Sequence, residues 1–442
     1  MFKTLIVFAL LPLSGAVAQQ PAGSPPAAQD TLRPISLDEA VALAQRSNPL
    51  AVQARGQIRT AESSVRSVWG SFIPSVSASM SQNKRSAERF DPIQDRFVSS
   101  TQPWNYSTGL STGLELFDGG RRFAELRAAR ADVDAAEANE TTQQFSISLQ
   151  VKREYANVLA ARESEAAARA QLEQAEAQLR AAVARVQAGA ATMSDSLRSL
   201  IQVGNARLAL LTAQNNVRVG SASLTRLVGT PYMVTANPAD TIALQIPAID
   251  SASLMRLALE GPGVRQAWLS QRAAGAGVSA ARSSYLPTVR MSYSYNGSGT
   301  EPYRLSSGDQ FRYGSNLSFS LNFPLFNNFS REDQITRARV AQDNATAQLQ
   351  DARLAAQQSM IQQLGALRTA EERIRIQQAS VLAAEEDLRV MQQRYNLGAS
   401  TLLDLLTSQS QLNQARADLI QARQDYRIAR AQIEAIIGRD LT

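Results

Sequence analysis

The chain has 442 residues, 44% hydrophobic and 19% charged, with a formal net charge of +6 at pH 7. It contains no cysteine and no histidine, which excludes thiol nucleophiles, disulfides, Cys/His zinc sites, imidazole acid–base chemistry and any Ser-His-Asp arrangement together. Its basic residues are scattered among Asp and Glu on helical segments rather than clustered on one face, so neither nucleic acid, a cofactor, a metal nor an enzymatic reaction is expected.

Residues 1–18 read as a secretory signal peptide: Lys3, an apolar run from Leu5 to Leu13, then Ala16-Val17-Ala18 as a small-residue cleavage site. With no cysteine present, no lipoprotein-type anchor is expected on the mature N-terminus. Residues 19–36, with Pro21, Pro25, Pro26 and Pro34, read as a flexible or extended linker. A first structural repeat is expected over 37–229. Its helices (37–73) begin with a short amphipathic one from Leu37 to Ser47; Asn48 and Pro49 then stand as N-cap and first-turn proline of a second, which Pro74 ends. From 75 to 117 the period changes to two: Val76, Ala78 and Met80 alternate with serine, and beyond a polar loop Leu110, Leu114 and Leu116 alternate with Ser, Gly and Glu. After Phe117-Asp118-Gly119-Gly120 a helical pattern runs from Arg121 to about Val186, breaks at Gly189, and restarts near Ser194 to reach Gly229.

An equatorial inter-repeat segment, 230–253, carries Pro231, Pro238, Pro247 and a short predicted strand, Ile242-Ala243-Leu244, and is expected to wrap the outside at mid-height. A second repeat, 254–442, then restates the first as helices over 254–286, strands over 288–326 and helices over 330–438. Gly189 and Asp195 recur as Gly398 and Asp404 (398 − 189 = 209 and 404 − 195 = 209), and Pro49 recurs as Pro262 (262 − 49 = 213). One heptad seam runs from Val151 and Val158 through Leu172 and Leu179 to Val186, and again from Met360, Leu367 and Ile374 to Val381, Leu388 and Tyr395. A repeat of seven is the period of left-handed coiled coils.

These elements dictate a shape. Each 121–186-type helix is about 100 Å long at 1.5 Å per residue, more than a compact core needs. The Pro49 helix and the helix climbing from Ser194 together match that length, so they are expected to stack end to end beside it. The strands have one apolar and one polar face and aromatic residues near their ends, as in membrane barrels; a hairpin half-buried on the helices is the soluble alternative. Four strands cannot close a barrel, and open edges are not viable in lipid, so several chains must pool strands. Two chains give eight strands and a filled interior, three give twelve and a lumen.

At this point the chain resembles the TolC-like outer membrane factors, through the duplicated tips, the Phe117-Asp118-Gly119-Gly120-Arg121 strand exit and the Asn-Pro and Pro-ended helices. The resemblance implies an α+β membrane protein: a homotrimer whose 12-stranded outer-membrane β-barrel, four strands per chain, continues into a long periplasmic α-helical coiled-coil barrel. It implies an exit duct of a tripartite efflux pump, fed by a periplasmic adaptor and an inner-membrane transporter of RND, ABC or MFS type. The alternatives are the outer membrane component of a type I protein secretion system and a periplasmic coiled-coil scaffold without a channel. By the same resemblance, Gly189, Ala190, Gly398 and Ala399 are the adaptor docking tips, and Asp195, Tyr395 and Asp404 form the periplasmic gate. The competing reading for Asp195 and Asp404 is that of helix N-terminal charges, worth about 0.3 to 1 kcal/mol each. Ser400 and Thr407 stand where better-known relatives carry Arg and a second Asp, which implies fewer locking bonds. The cargo is not legible.

Overall fold

The computed structural model describes residues 32–93, 95–101, 104–239, 251–300 and 311–441. The signal-peptide segment and the Ile242–Leu244 strand expected above lie outside them. In chain order the elements are β1 (Arg33–Ile35), α1 (Leu37–Ser47), α2 (Pro49–Gly70), β2 (Ser75–Asn83), β3 (Ser86–Asp91), β4 (Arg96–Thr101), β5 (Asn105–Phe117), α3 (Arg121–Gln187), α4 (Met193–Val228), β6 (Val234–Ala236), α5 (Ser251–Leu259), α6 (Pro262–Arg282), β7 (Thr288–Gly299), β8 (Phe311–Asn322), α7 (Ser330–Asn396) and α8 (Leu402–Ile437). Asn48 caps α2 by accepting from the Leu50 N–H at 3.0 Å, with Pro49 in the first turn. Three differences from the sequence reading stand out. The end of the linker is not free: β1 pairs in parallel with β6. The polar loop of the first repeat holds an extra hairpin, β3 and β4. Finally, α2 stops at Gly70 rather than Ile73, because Ser71, Phe72 and Ile73 turn through tighter bonds before Pro74, which disfavours helical geometry in the residue ahead of it.

The four long strands form one antiparallel sheet in the order β2-β5-β7-β8. Its register sorts the faces. Val76, Met80, Leu110, Tyr293, Tyr295, Leu317, Phe319 and Leu321 share one face, and each is exposed. The other face is polar, with serine pairs bridging adjacent strands: Ser77 to Ser111 at 2.7 Å, Ser81 to Ser107 at 2.6 Å and Ser292 to Ser318 at 2.7 Å. An exposed apolar face beside a hydrogen-bonded polar face suits a wall between lipid and water and not a hairpin laid on helices.

β5 leads into α3 and β8 into α7. Below the sheet α2, α3, α6 and α7 lie side by side, and further down α4 and α8 take the places of α2 and α6. The end-to-end stacking is visible at the joints: Asn48 Nδ2 donates to the Leu227 carbonyl at 3.3 Å and Ser47 Oγ to that of Val228 at 2.5 Å. In the second repeat Gly261 meets α8 so closely that a Cβ there would run into the Ile436 carbonyl. Around the joints sit two cores, one built on Ile147, Val151, Tyr155, Val158 and Leu224, the other on Met360, Leu367, Ile374, Tyr426 and Ile433. Lys152 ties the repeats together, bonding Glu434 at 2.6 Å and Asp440 at 2.8 Å. Burial pulls its pKa down, but those two bonds outweigh it and hold the ammonium above the ordinary lysine value. Toward the tips the seam differs from expectation: Leu172, Leu179 and Val186 are only half-buried, whereas Ala168, Ala175 and Ala182 on α3 and Ser199, Ala206 and Ala213 on α4 are buried. Small side chains let the two helices approach closely there.

The strand-to-helix corners complete the frame. In the first, Gly119 and Gly120 take positive φ (68° and 79°), and Asp118 receives the N–H of Gly120 and of Arg122 along with the Arg122 guanidinium at 2.9 Å. In the second, the positive φ values fall on Asn328 (53°) and Phe329 (59°), so Phe329 holds a conformation that L side chains rarely adopt. Its ring packs edge-on against Phe326 at 5.5 Å.

Candidate functional site

The two tips are built bond for bond alike. α3 ends with Gly189 at φ 71°, the Ala190 N–H reaching back to the Arg185 carbonyl at 2.8 Å and the Gly189 N–H to that of Val186 at 3.0 Å. α7 ends with Gly398 at φ 72°, with the matching bonds from Ala399 to Arg394 (2.8 Å) and from Gly398 to Tyr395 (3.1 Å). Paired bonds of this kind close a helix C-terminus only where a left-handed residue follows, which is why glycine stands at both positions. Apart from the glycine and its two chain neighbours, no atom of the described residues lies within 4 Å of where a Cβ on either glycine would sit, and Ala190 and Ala399 are exposed. The apex of each tip is a small, uncovered backbone surface.

The next helices start with reciprocal caps. Asp195 Oδ2 accepts from the Thr192 N–H (3.2 Å) and hydroxyl (2.9 Å), and Asp404 Oδ2 from the Thr401 N–H (2.9 Å) and hydroxyl (2.7 Å). Within the chain both expected gate carboxylates therefore serve as helix caps. Asp404 is exposed, and the Thr401 hydroxyl and N–H bonds hold its carboxyl below the usual aspartate range, so it is an anion at neutral pH. Both of its bonds use Oδ2.

Tyr395, the third expected gate residue, is engaged by a residue that sequence reasoning missed. The Arg185 guanidinium lies 4.7 Å from the Tyr395 ring centre and donates to the carbonyls of Tyr395 (3.3 Å) and Asn396 (3.0 Å). It caps the C-terminus of α7 from the neighbouring hairpin and locks the two tips of one chain together. A basic residue in the last turn of α3 was visible; its target, 210 positions away, was not. Gln178 and Gln409 add a second tie at 2.8 Å between α3 and α8.

Two duplicated helical hairpins hung from an amphipathic four-stranded sheet are matched by known proteins. The profile of the outer membrane efflux protein family covers residues 40–230 and 254–439, one match for each repeat. The chain belongs to this outer membrane efflux protein family. It is 29% identical over 418 residues to protein CyaE of Bordetella pertussis, covering 92% of this chain and 83% of that one. It is 25% identical over 391 residues to the pyoverdine export outer membrane protein OpmQ of Pseudomonas aeruginosa, covering 87% and 80%. A solved membrane protein structure from Pseudomonas aeruginosa shares its fold with a TM-score of 0.77 at 20% identity, covering 96% of this chain and 97% of that one. As an outer membrane efflux protein the chain is a duct of the outer membrane with a long periplasmic helical part, and its family is one of channels. The described helices include none long and apolar enough to cross a membrane.

Proposed function

We propose that three copies of this efflux protein pool their sheets into one 12-stranded barrel and form the exit duct of a tripartite efflux pump. The observation that carries the reading is the sheet itself: two faces of opposite polarity, and edge strands β2 and β8 each paired, among the described residues, on one side only. In lipid those edges need partners, and another copy's edge is the one that repeats around a ring. The helices support the same assembly. Leu197, Ile201, Leu208 and Leu211 on α4, and Val340, Leu354, Ile361 and Leu382 on α7, are exposed stripes that a neighbouring copy's outer helix would cover. Fractionation tests it: a heat-sensitive trimer in the outer membrane fraction is expected, and release by osmotic shock would reject the duct in favour of a periplasmic scaffold.

A periplasmic adaptor would dock on the tips at Gly189-Ala190 and Gly398-Ala399, with an RND, ABC or MFS transporter behind it. OpmQ's role in pyoverdine export supports a small-molecule cargo. The open space at the apex of both tips suits the close approach of another backbone. Because alanine at either glycine would also penalise the positive φ, the informative changes are at Ala190 and Ala399. Ala190→Leu with Ala399→Leu is expected to leave the trimer intact while weakening adaptor crosslinking and raising sensitivity to exported toxins; full export by the double variant would place docking elsewhere.

The gate reading rests on Asp404. Three copies about one axis would set a ring of anions at the narrow end, attracting multivalent cations. In planar bilayers Asp404→Asn, which keeps an oxygen for Thr401, is expected to abolish block by such cations added from the tip side. Tyr395→Phe should raise conductance if its hydroxyl bonds Asp195 of a neighbouring copy in the closed state. Wild-type behaviour of both variants would leave Asp195 and Asp404 as caps alone.

A further inference from the structure

Just below the strand-to-helix corners, α2, α3 and α6 enclose a cavity of about 700 Å³ lined by Arg66, Arg127, Arg130 and Arg272. All four arginines are exposed, and none has a carboxylate within 4.0 Å among the described residues. α3 is flanked by α2 and α6 of its own chain, so the cavity lies inside a protomer and not at its edges.

The side of the wall it opens on follows from helix periodicity. Arg127 and Arg130 share a face of α3 with Phe123, and Arg66 shares a face of α2 with Trp69. Trp69, Phe72 and Phe123 form one aromatic cluster, with ring centres 5.6 and 5.2 Å apart, and Phe123 is 63% exposed. On the opposite side of α3, Arg121 pairs at 3.2 Å with Glu115, which belongs to the polar face of the sheet. The arginines thus open on the apolar, lipid-facing side. At 1.5 Å per residue Arg66 lies about 4.5 Å beyond Trp69 and Arg127 about 6 Å beyond Phe123, within the depth of a headgroup layer, while Arg130, about 10.5 Å beyond Phe123, is within a long side chain's reach of it. A headgroup layer occupies roughly 5 to 8 Å on each side of the hydrocarbon core.

We propose that this cavity binds the phosphate of a phospholipid headgroup in the periplasmic leaflet of the outer membrane. Guanidinium forks match phosphate oxygens, and the aromatic cluster above gives the glycerol and upper acyl chain an apolar shelf. Glu62 and Asp134 line the deeper end of the same cavity, where they face an ammonium headgroup if the lipid carries one. Free phosphate would use the arginines but not the shelf. A lipid held inside each protomer fixes the height of the duct in the membrane.

The inference rests on the outer-membrane duct reading, so the test first secures the full-length heat-sensitive trimer from the outer membrane in mild detergent; release of the wild-type chain by osmotic shock would overturn both. Phospholipid bound to that trimer is then measured by native mass spectrometry and phosphorus analysis. The variant Arg66→Ser/Arg127→Ser/Arg130→Ser, altered only at exposed positions, is expected to retain about tenfold less phospholipid, a conservative figure for three arginines at a membrane surface. Replacing the same three by lysine should retain most of it. Equal retention by the serine variant in an intact trimer overturns the proposal, as does displacement of the lipid by inorganic phosphate alone. Should the serine triple assemble poorly, Arg130→Ser alone is measured, and unchanged retention there has the same meaning.

Discussion

Arginine in place of Phe319 is expected to destabilise the assembled duct by about 2 to 4 kcal/mol if that position sits near the bilayer midplane, whereas arginine at Ser320, one residue along, should be tolerated. Phe319 pairs with Met291 on the apolar face, beside Leu317 and Tyr293, and is 64% exposed. Ser320 points to the polar face, where a cation meets water and stands across from Arg290, a like-charge pairing worth about 0.2 to 1 kcal/mol, below the cost of a cation in lipid. A one-residue step thus reverses the cost, because strand side chains alternate between faces. Tyr293→Arg and Leu321→Arg should behave like Phe319→Arg, and Ser292→Arg like Ser320→Arg. Heat-modifiable trimer on gels reads the effect, and equal tolerance of both sets would mean that the sheet does not separate lipid from lumen.

The second large effect is expected at the first strand-to-helix corner. Asp118→Ala should cost about 3 to 5 kcal/mol, the range for leaving a buried charge without its partner. The Asp118 and Arg122 side chains are only 3% and 9% exposed, and the carboxylate also serves two backbone N–H groups. Arg122 is further held by the Ser71 carbonyl at 3.2 Å and stacks 4.9 Å from the Phe72 ring centre, so it cannot swing out to water without loosening α2. Asp118→Ala combined with Arg122→Met should recover part of the loss, since no charge then remains buried alone. The second repeat provides a comparison within the same chain. There Asn327 and Arg331 occupy the equivalent positions, Arg331 stacks 5.0 Å from the Tyr285 ring centre, and both Asn327 Oδ1 and Arg331 Nε are buried without a hydrogen-bond partner among the described residues. Asn327→Asp should supply the missing charge-assisted bond and raise trimer stability by about 1.5 kcal/mol, the lower end for hydrogen bonds to charged groups. Loss of stability in that variant would show that the two corners are not equivalent.

Much of the architecture was legible because its signals are local. The Asn48-Pro49 start of α2, the Gly189 and Gly398 breaks and the Thr-x-x-Asp restarts at Thr192 and Thr401 each concern groups within a few residues of one another. The period change after Pro74 and Pro287 announced the strands, and the 209-residue offset exposed the duplication (398 − 189 = 209). The gate assignment rests on resemblance alone and remains a proposal. Within the chain Asp195 and Asp404 have both the sequence and the bonds of helix caps.

Sequence alone determined the long helices and the four long strands, the helix breaks at Gly189 and Gly398, that the unit is doubled, and that no histidine or cysteine chemistry is available, because these follow from composition and from contacts a few residues apart. Only the tertiary structure decided the rest. It set which strand lies beside which and therefore which serines bridge, placed alanines rather than leucines at the centre of the α3–α4 seam, and brought Arg185 onto Tyr395. It also gathered Arg66, Arg127, Arg130 and Arg272 from three helices around one cavity. Such juxtapositions join residues far apart in the chain, and their energy is gained only after the helices have been fixed side by side, so no local pattern of side chains encodes them.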